Sequence, residues 1–187
     1  AIAHIINYDS MAKIIGNGAT PGAAPFPPSA NLGYDAVANK PMTDVAKADQ
    51  ILTQAGYAKN ANGIYAKDGK ELSLTLAIWG KDTSLYEEIQ QELKQAGIAV
   101  TLKKLQSAGE VDTLGTDSFD MVERAVVTMS TNDPYWYLSL FYKTGAKANV
   151  GAYSNPQVDA LIEQLSVTFD QNARANEAKQ AQQLLVD

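Results

Sequence analysis

Leu72-Ser73-Leu74-Thr75-Leu76-Ala77-Ile78, the stretch from Ser84 to Ala96, Gly97, and Ile98-Ala99-Val100-Thr101-Leu102 decide the fold class. The first run places an apolar residue at every second position, which predicts a strand. Thr83 or Ser84 starts the next element, Ser84 and Glu87 have the spacing of a capping box, and Leu85, Ile89, Leu93 and Ala96 recur at intervals of three and four. That pattern predicts a helix, and Gly97 stands where a helix commonly stops. The last run predicts a second strand. Strand, helix and strand joined by short links make a parallel pair with a right-handed crossover. The class is therefore α/β.

Upstream, Gly63 to Lys70 reads as a hairpin with Asp68-Gly69 at its turn. Val45, Ala48, Ile51, Leu52 and Ala55 predict a helix that Thr43 can cap, with Asp44 in its first turn and Gly56 past its end. Residues 1–15 predict one further helix, with Ile2, Ile5, Ile6 and Ile14 among its apolar positions. Between these helices runs an irregular stretch, Gly16 to Pro41, that holds Pro21, Pro25, Pro27 and Pro28. A disordered linker and an ordered loop are both open. Phe26, Leu32 and Tyr34 favour the loop, because linkers are poor in such anchors.

Downstream, Phe119-Asp120-Met121-Val122 begins a third strand that runs towards Val127. Helices follow at Tyr135 to Tyr142 and from Asn155 to about Phe169. In the latter, Asn155 is the cap, Pro156 takes the first position and Val158, Leu161, Ile162 and Leu165 form one face. A last helix runs from about Gln171 to the end. Its amphipathic pattern stops without Gly or Pro, and the first residues, Ala1-Ile2-Ala3-His4-Ile5-Ile6, lack both a signal peptide and a helix start. Both ends read as cuts, so a piece of a longer protein is expected.

The chain has 187 residues, 45% hydrophobic, and a net charge of −6. No apolar run reaches the eighteen or so residues that span a bilayer. Acidity with scattered Lys and Arg argues against nucleic acid. The chain has no cysteine, which excludes disulfides, thiol nucleophiles and Cys-based zinc sites. This suits an oxidising exterior, and cytosolic chains can lack cysteine too.

No catalytic constellation is present. The one histidine, His4, has only Asp9 nearby, and a metal site needs several ligands. It reads as a helix-surface or core-edge residue. A nucleophile needs an adjacent base, and no Gly-x-Ser-x-Gly elbow occurs. Gly16-Asn17-Gly18 does not follow a strand and lacks the Lys-Ser/Thr of a phosphate loop. Asp117 and Asp120 read as a solvated start to a strand, and Glu87-Glu88 as a solvated helix face. Neither cofactor nor metal is expected. A binding lobe, a regulatory domain and a structural domain all remain open on these grounds.

Six segments in order carry a resemblance. Ala3 to Asp9 looks like A-x-x-Y-A-I-D-R. Pro25-Phe26-Pro27-Pro28 with Gly33-Tyr34-Asp35 looks like a Pro-rich loop. Ala46 to Tyr57 looks like K-A-x-x-L-L-x-x-A-G-Y. Ile89 to Val100 looks like I-Q-x-x-L-x-x-I-G-I-x-V. Phe119 to Pro134 looks like F-D-…-W-…-D-P. Tyr153 to Ile162 looks like Y-x-N-P-x-V-D-x-L-I. The chain thereby resembles the C-terminal lobe of extracellular solute-binding proteins of the peptide/nickel class.

The resemblance implies an α/β fold, a mixed sheet with flanking helices, forming one lobe of a two-lobed, type II periplasmic-binding-protein-like fold. Residues 1–187 would be a single lobe. It implies a non-enzymatic, monomeric, substrate-binding component of an ABC importer, outside the cytoplasm in the periplasm or as a cell-surface lipoprotein. The protein would close over a peptide by hinge motion and present it to a membrane permease. A nickel chelate, another small solute, or a receptor role in signalling are the alternatives.

The ligand-facing segment implied is Arg124 with Val127, Thr128, Met129, Ser130, Thr131 and Asn132. It follows a strand, where ligands of open α/β sheets sit. Oligopeptide-binding relatives read R-A-G-W-x-x-D-Y-N-E-P there, with an Asp for the peptide's amino group. Ser130 takes that position here, without the charge, and Val127 replaces the Trp. Arg124 matches the relatives' Arg and reads either as a partner for a ligand carboxylate or as a strand-surface salt bridge. Gly145 to Asn149 offers no histidine for a nickel chelate. Tyr135-Trp136-Tyr137 can face a cleft, with core packing of Trp136 and Leu140 preferred. Trp79 is open between the two roles.

Overall fold

The computed structural model describes residues 1–22, 26, 32–34, 43–114, 116–124 and 133–186. They group into two compact units that interleave along the chain. Residues 1–21, 41–113 and 117–123 make the first, and 22–40, 114–116 and 124–187 the second.

The first unit opens with α1 (Ile2–Ile5) and α2 (Tyr8–Ile15), two helices where the sequence predicts one. Ile6 is extended, and the Asn7 side chain accepts from the Ser10 N–H at 3.1 Å, so it caps α2 and breaks the run. Ile14 is exposed rather than packed. Helix α3 (Val45–Gln54) follows, capped by Asp44, whose carboxylate accepts from the Lys47 N–H at 2.9 Å. Thr43 is not the cap; its hydroxyl donates to the Ile6 carbonyl at 2.6 Å. Strands β1 (Ala58–Lys59), β2 (Tyr65–Lys67) and β3 (Lys70–Glu71) form a small antiparallel sheet. The β2–β3 register pairs Lys67 with Lys70, which places Asp68-Gly69 in the turn as expected.

The second sheet has the order β5-β4-β6. β4 (Ser73–Ile78), α4 (Ser84–Ala96) and β5 (Ala99–Lys104) form the predicted parallel crossover, with Ser73 opposite Ala99 and Ile78 opposite Lys104. Gly97 ends α4 at φ 101°, and a Cβ there would meet the Gly63 carbonyl at 2.6 Å. Two 3-10 helices, Ala108–Thr113 and Thr116–Ser118, lead to β6 (Met121–Val122), which pairs parallel with β4. Ile5, Ala48, Leu52, Tyr65, Leu93 and Ile98 form the core of this unit. Each large apolar side chain so buried contributes about 1.5–3 kcal/mol.

The second unit packs α5 (Pro134–Phe141), α6 (Pro156–Val167) and α7 (Gln171–Val186). Asn155 caps α6 as expected, accepting from the Gln157 N–H at 2.9 Å. Val158, Ile162 and Leu165 point into a core shared with Leu138, Ala178, Ala181 and Phe26. Phe26 is 3% exposed, so this anchor of the Pro-rich stretch is a core residue. Pro25, Pro27 and Pro28 lie outside the described residues. The 92% exposure of Phe169 leaves it out of the packed face.

Candidate functional site

Two-residue β6 is too short to hold its place by ladder bonds alone, and two carboxylates tie it to β4. At its start, the Asp120 carboxylate accepts from the Thr75 N–H at 2.7 Å, while the Asp120 N–H donates to the Thr75 carbonyl at 2.9 Å. Asp120 is exposed, as expected of a solvated strand start, and its carboxylate also clamps the strand. At its end, the Glu123 carboxylate accepts from the Trp79 N–H at 3.0 Å. The Tyr86 hydroxyl, in the first turn of α4, hydrogen-bonds the same carboxylate. Burial first, and then Glu123, push the Tyr86 phenol well above its ordinary range. Asp82 accepts from both the hydroxyl and the N–H of Ser84, at 2.7 and 3.0 Å, and these bonds hold its carboxyl below the usual value. Trp79 is half-buried at the carboxyl end of β4, where α/β sheets meet their ligands.

In the second unit, Arg124 is exposed, and its guanidinium carbon lies 5.1 Å from the centroid of Phe141. Phe141 belongs to a run of rings. Its centroid is 5.0 Å from that of Tyr137 and 6.2 Å from that of Trp136. Tyr137 is 5.5 Å from Phe26 and 5.8 Å from Tyr142. Burial raises the Tyr137 phenol, opposed by its hydrogen bond with Tyr142 and by the Arg124 charge. Burial raises Tyr142 strongly, well above the ordinary phenol range.

The phase of this helix is set at its start. Asp133 caps α5 by accepting from the Tyr135 N–H at 2.8 Å. Arg174 holds the same carboxylate through Nη2, at 2.6 and 2.7 Å, and also donates to the carbonyls of Leu165 and Thr168. Four residues on, Ala178 meets Gly33; four further, Gln182 donates to the Gly33 carbonyl. One stripe of α7 therefore anchors both the start of α5 and the Pro-rich stretch.

Of the expected ligand-facing residues, Arg124 is placed on this ring run. Val127, Thr128, Met129, Ser130, Thr131 and Asn132 lie outside the described residues. Trp136 is half-buried against Phe141, and Leu140, expected in the core, is 37% exposed. Leu138 fills the core instead, because α5 turns that face inward. Phe141, Arg174 and Glu123 were not legible as site residues. The Asp-Pro pair at 133–134 signals the cap of α5, but its basic partner lies 41 residues away with no motif joining them. Among the described residues no group of three or more His, Cys, Asp or Glu could hold a metal ion. Nor is any described helix long and apolar enough to cross a membrane.

A sequence model of the bacterial extracellular solute-binding proteins, family 5 (middle region), matches residues 1–149. The chain is 30% identical over 169 residues to a probable D,D-dipeptide-binding periplasmic protein of Escherichia coli, covering 86% of this chain and 30% of that protein. It is 29% identical over 198 residues to a glutathione-binding protein of Pectobacterium atrosepticum, covering 97% of this chain and 35% of the other. The chain thus spans about a third of the length of these relatives. A solved nickel ABC transporter structure from Bacillus halodurans shares the fold, with a TM-score of 0.81 at 24% identity over 98% of this chain and 38% of that one. With that likeness, the parallel β-α-β unit and its flanking helices are those of a type II periplasmic-binding-protein-like fold, and the chain belongs to the bacterial extracellular solute-binding proteins of family 5.

Proposed function

We propose that residues 1–187 form one lobe of the substrate-binding component of an ABC importer, and that its solute is a peptide. The observation that carries this reading is the likeness of nearly the whole chain to one third of longer relatives, two of which are named for a dipeptide and for glutathione. A second lobe completes the cleft, and hinge closure over the solute produces the form that a membrane permease recognises. The protein works outside the cytoplasm, in the periplasm or lipid-anchored at the cell surface, as a monomer and without catalysis. Arg124, Val127, Thr128, Met129, Ser130, Thr131 and Asn132 face the solute, which is held through its backbone and termini.

A nickel chelate is the second reading, supported by the fold shared with the nickel transporter. Native mass spectrometry of the full-length protein, purified from its host, separates the two. Recovery of bound peptides is the expected result, and recovery of a metal chelate alone would replace the first reading with the second.

A further inference from the structure

We propose that the first unit holds a ligand site of its own, a pocket between α1, α3 and the β1–β2 pair that takes a free α-amino acid with an apolar side chain. This goes beyond the peptide-binding reading and does not depend on it, because every residue of the pocket belongs to the first unit.

The pocket has a volume of about 310 Å³, at the small end of the range that holds small molecules. Ile5, Ala48 and Leu52 are buried and give it an apolar floor. Val45, Ala48, Asp49 and Leu52 stand at helical spacings of three and four, so they share one face of α3. Val45 is 54% exposed, which leaves an apolar wall of the pocket open to water.

Two opposite charges line the same pocket, and one tyrosine positions both. The Tyr65 hydroxyl donates to Oδ1 of Asp49, while Oδ2 accepts no hydrogen bond among the described residues. Burial first, and then Asp49, push the Tyr65 phenol up to about 12, so it stays a donor at physiological pH. Lys59 stands directly across the ladder from Tyr65, and its Nζ lies 4.9 Å from the ring centroid. Its Cε runs against Gly97, where an added Cβ would approach it to 3.1 Å. No ion pair joins Lys59 to Asp49 among the described residues. An ammonium suits Asp49 and a carboxylate suits Lys59. A lone cation meets the like charge of Lys59, and a lone anion that of Asp49. A zwitterion satisfies both, with its apolar side chain on the floor.

The test uses the full-length protein with labelled methyl groups, titrated with L-leucine and followed by nuclear magnetic resonance. The Ile5, Val45 and Leu52 methyl signals move with L-leucine. L-leucinamide, 4-methylpentanoate and L-serine each lack one of the three groups and bind roughly tenfold more weakly, or worse. Asp49→Asn and Lys59→Gln, both at exposed positions, weaken L-leucine binding by a similar factor. Methyl signals that stay still under L-leucine overturn the site. Equal affinity for L-leucine and its two singly charged analogues leaves a merely apolar pocket and overturns the zwitterion. Unchanged affinity in both variants overturns the roles of Asp49 and Lys59. In the free protein, contacts from these methyls to residues outside 1–187 or to a second copy show the pocket already filled, and overturn it as a ligand site.

Discussion

Arg174 holds both carboxylate oxygens of Asp133, at 2.6 and 2.7 Å, while its other terminal nitrogen donates to the carbonyls of Leu165 and Thr168. One side chain therefore closes the C-terminal end of α6 and fixes the N-terminal end of α5. Asp133 is 40% exposed, so the charge attraction is partly screened and the hydrogen bonds carry most of the effect.

Arg174→Gln is expected to destabilise the protein by about 2–3 kcal/mol, because it strands three acceptors. Arg174→Lys keeps the charge and not the fork, and recovers less than half. Urea unfolding with an unchanged slope measures both. A lysine variant as stable as wild type would show that the geometry is irrelevant.

Gly33→Ala places a Cβ 2.6 Å from the Ala178 Cβ, at a backbone φ of +90°. Backbone strain and overpacking together cost about 2–4 kcal/mol. The double variant with Ala178→Gly relieves the collision and not the strain, so it recovers part of the loss in thermal unfolding. Full recovery would mean that φ contributes nothing.

Tyr65 governs an alkaline limb of stability. Burial, and then the hydrogen bond and charge of Asp49, push its phenol from 10.0 up to about 12. The folded value exceeds the unfolded one, so the stabilisation is complete below pH 10.0 and is lost as the pH rises towards about 12. Asp49→Asn brings the tyrosinate absorbance transition of Tyr65 to lower pH, read as the difference from a Tyr65→Phe titration. An unmoved transition would contradict the assignment to Asp49.

Glu123 binds the ends of β4 and β6 to the first turn of α4. Glu123→Gln keeps one acceptor and costs about 1 kcal/mol, while Glu123→Ala leaves the Trp79 N–H unpaired and costs about 2 kcal/mol. Hydrogen exchange at the Trp79 amide should quicken more in the alanine variant than in the glutamine one. Equal exchange in both would show that the carboxylate is not its acceptor.

The elements legible in the sequence were those whose signal is local. The alternation from Leu72 to Ile78 and the three-and-four spacing from Leu85 to Ala96 before Gly97 gave the parallel crossover, and Asn155-Pro156 gave α6. The capping box read at Ser84 and Glu87 does not form: Thr83 stands at the cap and its hydroxyl donates to Glu87 at 2.6 Å. Local signals failed where two readings of the same residue type compete. Asn7 caps a second helix inside an apolar run, and Asp44 wins the cap over its neighbour Thr43. Side chains that act at long range left no trace. Arg174 and Gln182 sit on a helix rich in polar residues whose buried face includes Glu177 and Gln182, so hydrophobic periodicity is silent about it. Phe141 is an ordinary aromatic until the fold brings Arg124 onto it.

The staple between Gln182 and Gly33 joins positions 149 residues apart. At synthesis rates of about 5–20 residues per second, the stretch that carries Phe26 and Gly33 leaves the ribosome on the order of ten seconds before α7 exists to receive it. During that interval a core phenylalanine has no core. The second unit can close only once α7 is available, while the β4–α4–β5 crossover, whose contacts are nearer in sequence, can form first. Sequence separation thus sets the order of closure in this chain: the crossover can close on near neighbours, and the second unit waits for its most distant helix.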